Sequence, residues 1–323
     1  MKISVVIPNY NGGSLLQPCL KSLLRQTYLN YEILVVDNGS TDSSAEILQS
    51  YAPHVRVCWL PQNLGFGRAV NIGIQQTEGE LLLILNNDTV VEENCLKEII
   101  NAVDTNKEYG IFAPLILEHN QANKAYAIGL MYSTRGYGNR SERHHIDRFD
   151  CKREVFGACG AAAVYKREIL EEVGLFNERF FVLHEDVELS FRHQLAGQKC
   201  LFVPDAIVTH VGSATLRKDF SLVVRETVKN SLSTVLTCMP SPLLIKYGLE
   251  IPMFYLTFLS HLIRKGYSTD VCWGILGLVL SVPSLCISRR RIQRTRRVSP
   301  GSLEELLYRG PIYLNFPNET VVI

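Results

Sequence analysis

Five short stretches of this chain gather side chains able to do chemistry. In the first, Leu34-Val35-Val36 leads to Asp37, followed by Asn38-Gly39-Ser40-Thr41-Asp42. A carboxylate at the end of such an apolar run can accept a hydrogen bond from a nucleobase N–H or a ribose hydroxyl. Asp37 and Asp42 are equally suited to capping the turn and the next helix. In the second, residues 81–85 lead to Asn86-Asn87-Asp88. Asp88 is a candidate ligand for a divalent cation of the Mg²⁺ or Mn²⁺ type, which favours one or two carboxylates together with phosphate oxygens. Asn-Asn-Asp-Thr is good turn chemistry as well. In the third, Asn63-Leu64-Gly65-Phe66-Gly67-Arg68, glycines ahead of a helix can bring backbone N–H groups to a phosphate, and Arg68 can add charge-assisted bonds. The spacing is not that of a dinucleotide fingerprint.

The fourth stretch, His184-Glu185-Asp186-Val187-Glu188, puts two adjacent carboxylates at a helix start. The positive end of the helix dipole there is expected to keep them ionised, as a general base requires. Plain amino-terminal capping is the other reading. Val187, Phe191 and Leu195 are expected to face the core, and Glu188 with Arg192 forms a bracing i,i+4 pair. The fifth candidate is His210, after an apolar run, either a metal or phosphate ligand or a structural histidine.

The elements that must position these residues follow from the apolar pattern. Residues 3–7, 32–36, 55–60 and 81–85 read as strands, and 14–26, 43–51 and 67–77 as helices. Near-continuous Val/Ile/Leu runs suit parallel strands covered on both faces. Their alternation with helices implies βαβ units and a doubly wound sheet, whose ligands lie beyond the carboxyl ends of the strands. Three of the four runs end in polar residues, Pro8-Asn9-Tyr10-Asn11, Asp37-Asn38-Gly39-Ser40 and Asn86-Asn87-Asp88, and are expected to point into one crevice. Residues 135–153 are rich in Gly, Arg and His and read as a mobile loop, while 154–166 are small and apolar. Residues 185–196 read as a helix stopped by Gly197, and 201–203 and 206–211 as short strands.

The 323 residues carry a net charge of +1, which argues against a nucleic-acid partner. Nine cysteines show no CxxC spacing, so neither a zinc ribbon nor a thioredoxin-like site is expected. Each cysteine reads as a small core residue in a reducing compartment. The apolar run before Pro8 is too short for a signal-peptide core, so a cytosolic catalytic part is expected. Beyond about residue 235 the composition shifts. Residues 251–263 and 271–287 are apolar blocks, separated by Arg264-Lys265 and followed by six arginines within 289–297. Both blocks fall short of the roughly 20 residues of a spanning helix, and the second contains Pro283. In-plane or re-entrant attachment to an anionic membrane surface is the expectation, with about 1 kcal/mol from each basic residue; a buried helical pair with a solvated basic tail and a spanning helix are the alternatives.

Order and spacing of the five motifs together resemble the family 2 inverting glycosyltransferases over residues 3–215. The Asn-Asn-Asp strand end is similar to that of bacterial rhamnosyltransferases of polysaccharide assembly. The resemblance implies an α/β GT-A fold, a Rossmann-like mixed sheet with flanking helices, here followed by a helical membrane-associating region. It implies that Pro8, Tyr10 and Asp37 line the base and ribose pocket, within a nucleotide-binding set completed by Asn9, Asn63, Gly65, Arg68 and Asn87. Asp88 would bind the metal that grips the diphosphate, with His210 where some members place a further ligand. The family's DxD motif stands here as Asn86-Asn87-Asp88, which leaves one carboxylate. Asp186 would be the base, with Glu185 beside it.

The domains expected are a nucleotide-sugar-binding half (1–115), an acceptor-binding and catalytic half (116–235), a membrane-associating region (236–298) and a tail (299–323). The implied function is inverting transfer of a sugar, rhamnose first among the donors. It would pass from a nucleoside-diphosphate sugar to a saccharide or polyprenyl-linked acceptor, at the cytoplasmic side of the cell membrane. A non-catalytic sugar-nucleotide-binding or assembly protein of the same fold is the alternative. A nucleotidyltransferase ranks lower, because no cation follows the first strand until Lys21.

Overall fold

Strand β1 (Ile3–Asn9) is buried along its whole length, as a strand covered on both faces must be. Helix α1 (Gly13–Leu23), β2 (Tyr31–Asp37), α2 (Ser44–Ser50), β3 (Arg56–Trp59), α3 (Phe66–Gln75) and β4 (Leu81–Leu85) follow in alternation. The computed structural model describes residues 1–119, 121–140, 151–211, 219–316 and 319–323. The four strands lie side by side in the order β4-β1-β2-β3, all parallel. The register sets Asn9 beside Asp37 and Asp37 beside Trp59, so the strand ends fall in one row.

Beyond β4 the sheet becomes mixed. The chain continues through β5 (Thr89–Val91), α4 (Cys95–Thr105), β6 (Ile111–Glu118), β7 (Gln121–Ala127), β8 (Leu130–Tyr132), β9 (Gly138–Arg140), β10 (Arg153–Val155), β11 (Ala162–Lys166), α5 (Arg167–Val173), α6 (Glu185–Leu195) and β12 (Cys200–His210). Strand β11 runs antiparallel between β4 and β6, and β12 pairs parallel to β6 and antiparallel to β5 and β10. The two short strands expected near the end of this region are one strand. Its pairing with β6 shifts between Val203 and Ile207, where Pro204 lacks an N–H to donate. Part of the Gly/Arg/His-rich stretch is ordered as β9 and the start of β10, while 141–150 lie outside the described residues.

The chain divides into two compact units. The first comprises Met1–Leu130, Arg140–Phe181 and Gln198–Thr215, and the second Met131–Asn139, Val182–Gly197 and Leu216–Ile323. The second holds α6 and then α7 (Phe220–Cys238), α8 (Ser241–Lys246), α9 (Glu250–Arg264), α10 (Ser268–Arg294), α11 (Pro300–Glu305) and the paired strands β13 (Tyr313–Phe316) and β14 (Glu319–Val322). Helices α7 and α10 pack closely because Gly274 has no side chain: a Cβ there would lie 2.9 Å from the Arg225 carbonyl oxygen. Arg225 Nε donates to Asp270 Oδ1 (2.7 Å) and Ser221 Oγ to Asp270 Oδ2 (3.1 Å). At the other end, Arg289 Nη1 donates to the carbonyls of Leu236 (2.7 Å) and Met239 (2.8 Å), capping the last turn of α7.

Two expectations change here. Helix α10 runs unbroken through Pro283 and on to Arg294, 27 residues in all. It is long and apolar enough to cross a membrane by length and composition, unlike the shorter block read from the sequence. Nor are all cysteines core residues. All nine are free thiols, but Cys151, Cys272 and Cys286 are exposed and Cys58 is half-buried.

Within the first unit, α3 lies against β1 and β2 through Gly73, where an added Cβ would come 2.4 Å from Val6 Cγ1 and 3.0 Å from Val36 Cγ2. Gly73→Ala should therefore destabilise the protein by about 1–3 kcal/mol through overpacking, despite alanine's better helix propensity. A lower urea midpoint checks this.

Candidate active site

Side-chain amides knit the ends of β1, β2 and β4 together in the first unit. Asn87 Nδ2 donates to Asn9 Oδ1 (2.6 Å). Asn9 Nδ2 donates in turn to Asp37 Oδ2 (2.9 Å) and Ser40 Oγ (3.2 Å), while the Ser40 N–H donates to Asp37 Oδ1 (3.0 Å). Asp37 is buried, and each of its oxygens can still accept a further donor. Gly12 lets this network close, because a Cβ there would sit 2.0 Å from Asn87 Nδ2. Pro8 is buried in β1, whereas Tyr10, one residue past its end, is exposed. Asp42 acts as a cap: Oδ2 accepts from Gly13 N (2.9 Å) and Oδ1 from Ser44 N (3.0 Å).

A second amide cluster fixes the approach to α3. Asn38 Nδ2 donates to Asn63 Oδ1 (2.9 Å) and to the Gly65 carbonyl (3.2 Å), and Asn63 Oδ1 also accepts from Gly65 N (2.9 Å). Gly65 has φ 88°, and a Cβ there would lie 2.6 Å from the Phe181 carbonyl oxygen, so glycine is required. Arg68 is half exposed, its Nε 3.7 Å from Glu178 Oε2.

Asp88 and His210, both buried, meet where β5 pairs with the end of β12. His210 Nε2 lies 2.9 Å from Asp88 Oδ1. Yet neither ring nitrogen is in a hydrogen bond, so the contact is close without being a proper N–H donation. The Tyr126 ring stands edge-on to the imidazole, centroids 4.5 Å apart, and the Arg140 guanidinium lies 3.9 Å above that same tyrosine. An imidazole nitrogen and a carboxylate oxygen 2.9 Å apart outside hydrogen-bond geometry suit a shared cation. Neighbouring ligands of an octahedral ion with bonds of about 2.1 Å are themselves about 3 Å apart. Among the described residues, no group of three His, Cys, Asp or Glu side chains gathers to hold a metal. Asp88 and His210 could supply two ligands to a hard ion, whose remaining positions would fall to other oxygens.

Glu185 and Asp186 belong to the second unit. Helix α6 starts after two successive left-handed residues, Leu183 (φ 70°) and His184 (φ 64°). Each such non-glycine residue costs about 1–3 kcal/mol. Glu185 is buried, and its Oε2 has no hydrogen-bond partner. Burial first, then the charges of Asp186 and Glu226, push its carboxyl up to about 8. This corrects the expectation that the helix terminus keeps both acids ionised. A terminus contributes about 0.3–2 kcal/mol, and desolvation of a fully buried carboxylate outweighs it. Asp186 is half-buried, and its Oδ1 accepts from Val187 N (2.8 Å). Burial also lowers His184, to about 4, so it is neutral, with the Tyr137 ring edge-on at 5.2 Å. Val187, Phe191 and Leu195 are buried, and Arg192 Nε meets Glu188 Oε2 at 2.9 Å, as their spacing predicts.

Sequence reasoning missed Tyr126 beside His210, the place of Arg140 over that tyrosine, and Asn38, which follows β2 and bonds to the loop before α3. Asn38 was visible inside its motif, but nothing local marks Tyr126 as the neighbour of a histidine 84 positions later.

Comparison with known proteins gives a consistent picture. The family model described as "Glycosyl transferase family 2" matches residues 4–174, more than half of the chain. Glycosyltransferase GlyG of Streptococcus pneumoniae is 40% identical over 104 residues, 31% of this chain and 35% of that protein. The O-antigen biosynthesis protein RfbC of Myxococcus xanthus is 28% identical over 228 residues, 68% of this chain and 18% of that protein. In both, the matched stretch is less than two thirds of the relative's length. A mannosyltransferase of Pyrobaculum calidifontis, solved with GDP-mannose and Mn²⁺, superposes with a TM-score of 0.54 at 15% identity, covering 94% of this chain and 87% of that one. At that identity the likeness speaks for the fold.

The buried acid on α6 makes stability depend on pH. Folded Glu185 keeps a proton that the unfolded chain releases above its ordinary value of 4.5. Stability is therefore lost as pH rises from about 4.5 to about 8, and no further above that. Glu185→Gln should raise the melting temperature at pH 8 by several degrees and leave it unchanged at pH 4, as thermal denaturation at both values would register.

Proposed function

The chain belongs to glycosyl transferase family 2, and from that premise we propose that it moves a sugar from a nucleoside-diphosphate donor to a saccharide or lipid-linked acceptor, with inversion, in cell-surface polysaccharide synthesis. The observation that carries this reading is the Asp88–His210 pair, 2.9 Å apart without a hydrogen bond, in the same unit as the Asn9–Asp37–Asn87 network. The names of the pneumococcal and myxococcal relatives support it, as does the mannosyltransferase bound to GDP-mannose and Mn²⁺.

In this reading the free lone pairs of Asp37 accept from the base or ribose of the donor. Pro8 and Tyr10 line that pocket, and Asn9, Asn63, Gly65, Arg68 and Asn87 complete it. Asp88 and His210 would hold Mg²⁺ or Mn²⁺, which when bound offsets charge growing on the departing diphosphate. Asp186 takes the proton of the acceptor hydroxyl as its oxygen attacks the anomeric carbon. Such a base contributes about 10²–10⁴-fold in rate. Burial favours the protonated form of Glu185 at neutral pH. We take deoxythymidine-diphosphate rhamnose as the leading donor, from the resemblance to rhamnosyltransferases.

The acceptor side is drawn from α10. Trp273, Val279, Leu280 and Ile287 are exposed along it, and Arg290, Arg291 and Arg294 are exposed at its carboxyl end. An apolar face next to a basic end suits a helix lying in the plane of an anionic membrane on its cytoplasmic side, where polyprenyl-linked acceptors reside.

Asp186→Asn should lower turnover of a labelled nucleotide sugar by about 10²-fold or more while donor affinity stays within about threefold; normal turnover would remove Asp186 from the mechanism. In the same assays His210→Ala should weaken Mn²⁺ binding, read by the paramagnetic resonance of the free ion. Leu280→Glu in the full chain should reduce co-sedimentation with vesicles containing anionic lipid, and unchanged sedimentation would contradict the membrane assignment.

A further inference from the structure

We propose that Asn230, midway along α7, is a positioning residue for the Glu185–Asp186 pair, holding the left-handed turn from which α6 starts. The inference rests on the reading of Asp186 as the base. Asn230 is fully buried. Its Nδ2 donates to the carbonyl oxygens of Val182 (3.0 Å) and Leu183 (2.9 Å) and approaches Glu226 Oε2 at 3.2 Å. Those two carbonyls belong to the peptide planes on either side of Leu183. Holding both planes fixes φ and ψ of Leu183, the first of the two left-handed residues. Successive non-glycine residues persist in that region only where the surroundings over-determine them, and this amide supplies the constraint.

The other contacts of the clamp fit the same role. Lys229 Nζ donates to both oxygens of Glu226 at 2.7 Å, which keeps that carboxylate placed as the third acceptor. Asn230 Oδ1 has no hydrogen-bond partner, so the side chain is committed through its nitrogen. Helix α7 is itself fixed on α10 through Asp270 near one end and Arg289 at the other, so the clamp stands on a rigid base. The next residues after the turn are Glu185 and Asp186, in the first turn of α6. A change in Leu183 or His184 rotates the helix start and re-aims Asp186.

The test uses the full chain and a labelled nucleotide sugar with acceptor. Asn230→Ala should lower kcat by about 10–100-fold, the size expected for a misplacement of about 1 Å, with donor KM and donor affinity within about threefold. Adding Leu183→Gly, which adopts the left-handed region freely, should recover at least about tenfold of kcat without restoring the melting temperature. Asn230→Ser, which keeps one donor, should fall between wild type and Asn230→Ala, and it carries the same expectation should the alanine variant fail to fold. Wild-type kcat in either variant would overturn the proposal, as would a loss of kcat that follows donor affinity or fails to respond to Leu183→Gly. Asp186→Asn, run alongside, separates the two ideas. If Asp186→Asn stays active, the reading of the base fails. If Asp186→Asn is inactive while Asn230→Ala is fully active, the clamp alone fails.

Discussion

A carboxylate buried at the end of a parallel strand is stable only if something donates to it, and for Asp37 the donors are the amide of Asn9 and the N–H of Ser40. The same amide accepts from Asn87 through its oxygen, so one side chain joins the ends of β1, β2 and β4. The parallel register that sets Asn9 beside Asp37 is the condition for this, and long apolar strands covered on both faces set the register. Gly12 leaves the space in which the two asparagines meet. Strand pattern, sheet order and the chemistry of the strand ends are thus successive consequences of one arrangement.

Much of this was legible in the sequence because it is local. The runs ending in Asp37 and Asp88 read as buried strands, and they are. The helix at Glu185 and its Glu188–Arg192 brace follow from spacing alone. What was not legible depends on partners far along the chain. The charge of Glu185 turns on how completely the fold covers it, and no helix-start motif reports burial. Tyr126 comes to His210 only through the sheet, and Asn230 comes to Val182 and Leu183 only through the packing of α7. The unbroken course of α10 through Pro283 overrides the local preference of proline.

The second unit shows how a basic, apolar segment divides its side chains between tasks. Val271, Gly274, Leu285 and Ile292 are buried, while Leu280 and Ile287 are exposed. Arg289 belongs to the interior side of that division, because it satisfies carbonyls at the end of α7. The run of arginines in the sequence therefore does not act as one exposed basic patch.

Were Asp88 and His210 to hold the ion as proposed, the small number of protein ligands would have a thermodynamic consequence of its own. With one carboxylate and one imidazole, an ion satisfies most of its valence with oxygens from elsewhere, and a diphosphate brings several at once. Occupancy by the ion and occupancy by the donor would then raise each other by the same factor, since linkage is reciprocal. Loss of the diphosphate after transfer would loosen the ion in equal measure, so a single event resets both halves of the site.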